Sequence, residues 1–356
     1  MNQLFIRSDK GEYLPGEFVC GAVYLDINAP TEGHGVQVSF QGEESVCCEL
    51  QVNGLRTNVQ AKQEYVDYCH TDLFTQNEPF ACGSYCFPFR LRLPHQIPGT
   101  FKTTCIETSF AWSACVMYQL HANIAGAETM KVSQDIVVTA VTPENLRDNH
   151  LTRAHEIVFV PSRRLFGQKM HVTLKLIKNF LKTGENLRLR MIFTHGNQTA
   201  IHGFSMKLLQ TLTLTVPSKS KIKEVPGVAD KKVTVIREVA GMMPSGAYNV
   251  GNWHGVDNLM IPLKTEHGQN ILPSVHGKFI KCEYSLEVGL NMGKYVKTII
   301  CPIPGVLPEC NTEWLSWEPH PWFQNAEIKL GTSPITPTEH ILESGPFSRL
   351  PRFQDL

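Results

Sequence analysis

The sequence predicts an all-β protein of two tandem antiparallel β-sandwich domains, immunoglobulin-like in type, followed by a C-terminal tail. Three observations support this prediction. Apolar and polar residues alternate along most of the chain, and glycine and proline interrupt the alternation at short intervals. The length of 356 residues also exceeds what one ordinary core accommodates, so each half is expected to bury a core of its own.

Strand alternation is clearest near the end of the second half. There one face of an extended chain carries Ile280, Cys282, Tyr284, Leu286 and Val288. The same period of two recurs at residues 36–40, 87–93, 172–176, 187–191 and 212–216. A sheet with one face on a core and the other in water requires this pattern. No long segment has a convincing period of 3.6 residues, so no long helix is predicted.

Turn residues separate these strands. They include Pro15-Gly16, Pro98-Gly99, Gly184 and Pro226-Gly227. Many short strands divided by such turns are typical of β-sandwiches.

The two halves resemble each other in the order of their parts. A Gly-Glu turn precedes an apolar strand at residues 13–17 and again at 180–185, and each half later has a strand centred on a tyrosine. This is a weak repeat of about 165 residues. Polar residues and Pro143 interrupt the pattern between Thr142 and His155, so the domains are predicted at 1–148 and 149–308.

The last segment, residues 309–356, differs in composition. Four aromatic residues cluster at its start, and residues rich in proline, serine and threonine follow. We expect a tail that is packed at its aromatic start and mobile, hence partly disordered, beyond it.

The composition excludes several classes of function. Lysine plus arginine and aspartate plus glutamate are both 33, which argues against general nucleic-acid binding. The eleven cysteines are scattered without zinc-site spacing, and we expect reduced thiols in the cytosol. Neither a secretory signal nor an apolar run long enough to span a bilayer is evident. Nucleophile-elbow, zinc-protease, P-loop and dinucleotide motifs are also missing, so we predict no enzyme, no cofactor and no metal site.

Several segments resemble the arrestin family, specifically its α-arrestin branch. The most similar lie at residues 13–21, 34–42, 87–94, 280–288 and 301–305. Each motif alone is weak, but they occur in the family's order from about residue 5 to 308. The resemblance implies two arrestin-type domains, and most of the matching residues are expected to be scaffold.

The resemblance also implies a function. Proteins of this branch are adaptors that bind cytosolic tails of membrane proteins and link them to trafficking machinery or ubiquitin ligases. We therefore expect a cytoplasmic adaptor, peripherally associated with the plasma membrane or endosomes. The alternative is a structural subunit of a retromer-type endosomal coat, whose fold is related.

Two family features do not carry over to this chain. Other arrestins sense phosphate with an adjacent basic pair on the first strand, whereas Arg7 and Lys10 are not adjacent. Many α-arrestins recruit ubiquitin ligases through Pro-Pro-x-Tyr motifs, but this sequence contains no Pro-Pro dipeptide. A ligase would have to be recruited by another route.

A group of lysines is one candidate site for phosphate or a phosphoinositide headgroup. Its members are Lys219, Lys221, Lys223, Lys231 and Lys232. If the segment is a hairpin, five ammonium groups lie on one loop and could form charge-assisted hydrogen bonds with phosphate. An ordinary solvated loop is the alternative, with Glu224 and Asp230 partly neutralising the lysines.

The tail supplies two further candidates. Its aromatic cluster consists of Trp314, Trp317, Trp322 and Phe323. These residues could anchor a partner, or they could fold back over a sheet edge or the seam between the domains. Ser333 and Thr336 each precede a proline, which suits proline-directed phosphorylation.

Overall fold

A computed structural model describes most of the chain. The described residues are 1–52, 55–107, 110–139, 154–159, 170–176, 181–195, 203–216, 231–242, 255–264, 268, 270–291, 296–303, 305–310 and 312–344. The chain divides into two compact units: Met1–Ala140 together with Glu309–Leu356, and Val141–Pro308. The domain bounds predicted from the sequence, 1–148 and 149–308 with a tail at 309–356, stay predictions.

Two sheets form the first unit. The smaller has the order β1 (Gln3–Ser8), β3 (Phe18–Ile27), β6 (Gly83–Arg92) and β21 (Glu327–Ile328). The larger has the order β2 (Glu12–Tyr13), β9 (Ala127–Val138), β8 (Phe110–Ala125), β4 (Gly35–Val52) and β5 (Leu55–Thr75), and β7 (Phe101–Glu107) also pairs with β8. The core between these sheets contains large apolar side chains that are almost fully buried, including Leu25, Phe40, Phe87, Phe89 and Tyr118.

The second unit is also built from sheets. One has the order β10 (Ala154–Phe159), β11 (Met170–Leu176), β13 (Asn186–His195) and β16 (Gly255–Pro262). Another has the order β15 (Lys231–Met242), β14 (Gly203–Val216), β18 (Ile280–Asn291) and β17 (Val275–His276), with β19 (Val296–Pro302) also on β18. Two short strands, β12 (Leu181–Lys182) and β20 (Val306–Leu307), pair in parallel.

The predicted all-β fold is confirmed, and so are the predicted strand faces. All five apolar residues of the longest alternating run, from Ile280 to Val288 on β18, are buried. Along β14, buried positions alternate with partly exposed ones over the whole strand. The period of two in the sequence therefore reports which side of each strand faces the core.

A buried tyrosine has the same role in each unit. The Tyr118 hydroxyl donates to the Pro98 carbonyl at 2.7 Å, and the Tyr284 hydroxyl donates to the Leu272 carbonyl at 2.6 Å. Each bond ties a central strand to a loop that precedes it in sequence. Each half thus has a buried tyrosine whose hydroxyl anchors a loop.

The tail differs from its prediction. It contains β21, two short helices, α1 (Thr312–Ser316) and α2 (Glu339–Ser344), and a 3₁₀ helix at Pro321–Asn325. Packing extends well beyond the aromatic start, because Ile335 is 8% and Leu342 is 6% exposed. No strand was predicted here, because a strand of two residues that pairs along an existing edge has no long alternating pattern.

Candidate functional site

The candidate site is the outer face of the smaller sheet in the first unit, which the tail covers. On β3, Cys20, Ala22 and Tyr24 point away from the sandwich core, yet each is at most 2% exposed. They form an apolar cluster with Cys86 of β6 and with Phe323, Ala326 and Leu342 of the tail. We call this face, with its four strand residues, the tail-docking face.

Phe323 is the central contact between the tail and this face. Its ring stacks on that of Tyr24, with ring centroids 4.0 Å apart and an interplanar angle of 2°. Trp322 meets Phe323 edge-on at 4.4 Å, and Phe5 of β1 contacts it at 5.6 Å. Phe323 is fully buried. Burying a phenylalanine side chain contributes about 1.5–3 kcal/mol, and aromatic pairing adds about 0.5–1.5 kcal/mol.

Arg7 of β1 holds the beginning of the tail. Its guanidinium carbon lies 4.4 Å from the ring centroid of Trp314 and 4.3 Å from that of Trp317. Its Nη2 donates to the Trp314 carbonyl at 2.8 Å, and the Trp314 indole N–H donates to the Ser8 carbonyl at 3.1 Å. Burial lowers the pKa of Arg7 to about 10, so the side chain stays charged at neutral pH and can make a cation–π contact with both rings.

A buried carboxyl group lies at the end of β1. Asp9 is 3% exposed and accepts hydrogen bonds from the Tyr13 hydroxyl at 2.5 Å and the Cys20 amide at 3.3 Å. Burial raises the pKa of Asp9, although the bond from Tyr13 opposes the shift. Lys10 forms an ion pair with Glu17 at 2.9 Å. These contacts hold the segment between β1 and β3 in place, and Arg7 itself is held by pairing with Ala22 of β3.

Main-chain pairing continues the contact along the edge of the sheet. Strand β21 runs parallel to β6, and the Lys329 amide donates to the Cys86 carbonyl at 2.9 Å. Farther along, the Arg90 amide donates to the Ile335 carbonyl at 2.7 Å. The tail therefore occupies main-chain groups at an edge of the sheet, which would otherwise be open to another strand.

The segment after β21 fits very closely against β5. A Cβ atom added to Gly331 would lie 1.9 Å from the Leu73 carbonyl oxygen, so only glycine fits at that position. The Thr336 hydroxyl lies 3.5 Å from the same oxygen. The Ser333 hydroxyl is buried and has no hydrogen-bond partner in the described part of the chain. Both candidate phosphorylation sites thus lie in a packed part of the tail.

The four predicted aromatic residues therefore fold back onto the first unit. This is one of the two alternatives that the sequence left open. Their use as an anchor for a partner stays a prediction. Sequence reasoning missed Arg7 as a contact of the tail, and it also missed the covered outer face of β3, for which a signal was present. The run from Val19 to Leu25 is apolar throughout, which is typical of a strand covered on both faces.

The predicted lysine group is only partly described. Lys219, Lys221 and Lys223 lie outside the described residues. Strands β14 and β15 form an antiparallel pair in which Lys231 is opposite Val216 and Lys232 is opposite Thr215. Lys232 is exposed. The arrangement of strands agrees with a hairpin, and phosphate binding by the five lysines stays a prediction.

The described residues also limit other kinds of chemistry. In the described residues ten cysteines are not in disulfide bonds, and burial raises the pKa of both Cys20 and Cys282 to about 12. Across the described ranges, no group of three or more histidine, cysteine, aspartate or glutamate side chains is placed to hold a metal ion. None of the helices in those ranges is long and apolar enough to cross a membrane.

Comparison with known families decides the classification. Residues 3–147 match the family model "Arrestin (or S-antigen), N-terminal domain", and residues 167–311 match "Arrestin (or S-antigen), C-terminal domain". The chain belongs to the arrestin family. Both matches lie on the two predicted sandwiches, and the arrestin N-terminal domain carries the tail-docking face.

A curated relative supports the same classification. The "Arrestin domain-containing protein A" of Dictyostelium discoideum is 22% identical over 213 residues, which cover 56% of this arrestin-family chain and 35% of the relative. The chain thus spans about a third of the length of that relative.

Proposed function

We propose that this arrestin-family chain is a non-catalytic adaptor that binds extended cytosolic segments of membrane proteins and links them to endocytic or endosomal transport. One observation carries the proposal. The first unit already binds an extended segment, its own tail, by adding a strand to β6 and by packing an aromatic side chain on the adjacent face. A cytoplasmic location at the plasma membrane or endosomes follows from this role and is part of the proposal.

The tail-docking face and the edge of β6 together have the properties of a peptide-binding site. Main-chain groups of an edge strand supply affinity for an extended segment of any sequence, whereas pockets for side chains supply specificity. Here the side-chain contacts come from Tyr24, Phe5 and Arg7. We therefore expect a preferred segment to carry aromatic residues followed by an extended stretch.

The proposed site is occupied by the chain itself, so the test begins with its release. Phe323→Ala removes the ring that stacks on Tyr24 and leaves every residue of the first-domain strands unchanged. Synthetic cytosolic segments of membrane proteins from the source organism would be titrated against wild-type protein and this variant. We expect some segments to bind the variant at micromolar concentration and the wild type at least about tenfold more weakly, because a bound tail lowers apparent affinity.

A second variant locates the binding. Adding Arg7→Ala to Phe323→Ala should weaken the same segments, whereas adding Arg188→Ala, an exposed position on β13 of the second unit, should not. If no segment binds either form at micromolar concentration, the proposed adaptor function is wrong. Recovery of one fixed, stoichiometric set of coat proteins from native cells, unchanged by Phe323→Ala, would instead favour the retromer-type subunit.

A further inference from the structure

Two proline-directed motifs in the tail have hydroxyl groups that face the protein. The Ser333 hydroxyl is buried without a partner in the described residues, and the Thr336 hydroxyl is directed to the Leu73 carbonyl at 3.5 Å. A turn connects them, because the Thr336 amide donates to the Ser333 carbonyl at 2.9 Å. Both side chains therefore lie on the docked side of the same short segment.

The segment that carries both hydroxyl groups is packed closely against the first unit. On one side of the segment, Gly331 approaches the Leu73 carbonyl so closely that even a methyl group would collide with it. On the other side, the Ile335 carbonyl is bonded to the Arg90 amide, and the Ile335 side chain is buried. A kinase could not draw Ser333 into its active site while these contacts persist.

We propose that Ser333 and Thr336 are phosphorylation sites that a proline-directed kinase reaches only when the tail is released, and that phosphate on either residue keeps the tail released. In the reaction, the side-chain oxygen forms a bond to the γ-phosphorus of ATP, and the bond from that phosphorus to the β-phosphate oxygen breaks. ADP leaves, and the hydroxyl proton passes to a base of the kinase. The proposal concerns attachment of the tail and does not depend on the adaptor function.

Phosphorylation changes the docked segment in two unfavourable ways. Phosphate adds about 1.5 to 2 negative charges and three oxygens at neutral pH. At Thr336 these oxygens would face the Leu73 carbonyl oxygen, and at Ser333 they would enter a position shielded from solvent. The Arg90 guanidinium lies over the Phe18 ring, with its carbon 3.7 Å from the ring centroid. If phosphate paired with Arg90 instead, it would dock the tail more tightly. Hydrogen exchange of the tail distinguishes tighter docking from release.

The first experiment measures access. Purified mitogen-activated protein kinase and ATP would be added to three substrates: full-length wild type, full-length Phe323→Ala, and a synthetic peptide of residues 327–340. Mass spectrometry would follow phosphate at Ser333 and Thr336. We expect the peptide and the variant to react at least about tenfold faster than the wild type, because modification of a buried group follows the population of the open form.

A second release variant guards against a folding defect. Lys329→Pro removes the amide that bonds Cys86 without altering any side chain of the buried cluster, and it should react like Phe323→Ala. Amide exchange in β4 and β8 would show that the first unit is still folded in both variants. Equal rates for wild type and peptide, or no gain in either folded variant, would overturn the proposal.

The final experiment measures the effect of phosphate. Hydrogen exchange at residues 321–336 would be compared before and after phosphorylation, and between Ser333→Asp and Ser333→Asn, which are similar in size but differ in charge. We expect phosphate to abolish protection of this segment and the aspartate variant to reduce protection more than the asparagine variant. Protection that is retained or increased in the phosphorylated protein would contradict the proposal.

Discussion

Arg7 contacts two tryptophan rings of the tail, and these contacts explain how a half-buried guanidinium group is accommodated on β1. A guanidinium group is planar and weakly hydrated, so it loses less on leaving water than an ammonium group does, and both of its faces can lie against aromatic rings. Its hydrogen bond to the Trp314 carbonyl holds the main chain of the tail, and the bond from the Trp314 indole N–H to the Ser8 carbonyl fixes the orientation of that ring. Lysine at this position would keep the charge but not the stacked geometry.

Cys282 of β18 gives a pH-dependent prediction at the level of one residue. Burial raises the pKa of its thiol from an ordinary value of 9.0 to about 12. The folded state therefore favours the protonated thiol, and its contribution to stability is complete below the unfolded-state pKa and lost as pH rises toward 12. Above about pH 9, this residue should reduce the free energy of unfolding by about 1.4 kcal/mol per pH unit.

Chemical denaturation of the wild type and Cys282→Ala between about pH 8 and about pH 10 would measure this slope. The alanine variant should show a shallower decline with pH. Leu286→Ala, a buried position on the same face of β18, is the matched control, because it removes packing without removing a titrating group. Identical slopes for the wild type and Cys282→Ala would show that the thiol does not contribute.

At the scale of the element, the sequence predicted which side of a strand is buried better than it predicted which segment packs against that side. The alternation along β14 and β18 determines which side chains are buried, because the pleat places alternate residues on opposite faces. The continuous apolar run of β3 shows only that both faces are covered. It does not identify the covering segment, which lies about 300 residues away in sequence, and no local pattern encodes such a long-range pairing.

The site was therefore predicted only in part. Trp314, Trp317, Trp322 and Phe323 could be selected because clustered aromatic residues are unusual in a polar tail. Arg7 could not, because one arginine on a strand has no pattern that identifies two indole rings as its contacts. Burial of the Ser333 hydroxyl was likewise not evident from a Ser-Pro motif.

Strand β21 provides the prediction at the element scale. Lys329→Pro should release the segment after β21 from β6, because proline lacks the amide that donates to the Cys86 carbonyl. Lys329→Ala is the matched control, since it retains the amide and loses side-chain contacts, namely the ion pair with Glu327 and the contact with the Tyr85 ring. Hydrogen exchange at residues 326–336 should increase in the proline variant alone. An equal increase in both variants would mean that the side chain, not the main-chain bond, holds the strand.

At the scale of the whole molecule, the first unit is discontinuous in sequence. Its strands other than β21 lie before residue 140, and the segment that covers their outer face lies after residue 308. Chain connectivity passes through the second unit, and the buried tail residues Phe323, Ala326 and Leu342 pack in the first. Stability of the first unit should therefore depend on residues beyond the matched arrestin domains, whereas stability of the second unit should not.

Phe323→Ala tests this dependence across the whole chain. Removing a buried phenylalanine side chain typically costs about 3–5 kcal/mol, although part of that cost is avoided if the tail simply leaves the surface. We expect faster hydrogen exchange in β3 and β6, where Tyr24 and Cys86 lose their cover, and unchanged exchange in β14 and β18. Leu212→Ala, a fully buried position on β14, should give the reverse pattern. If either variant increased hydrogen exchange equally in both units, the two units would not unfold independently.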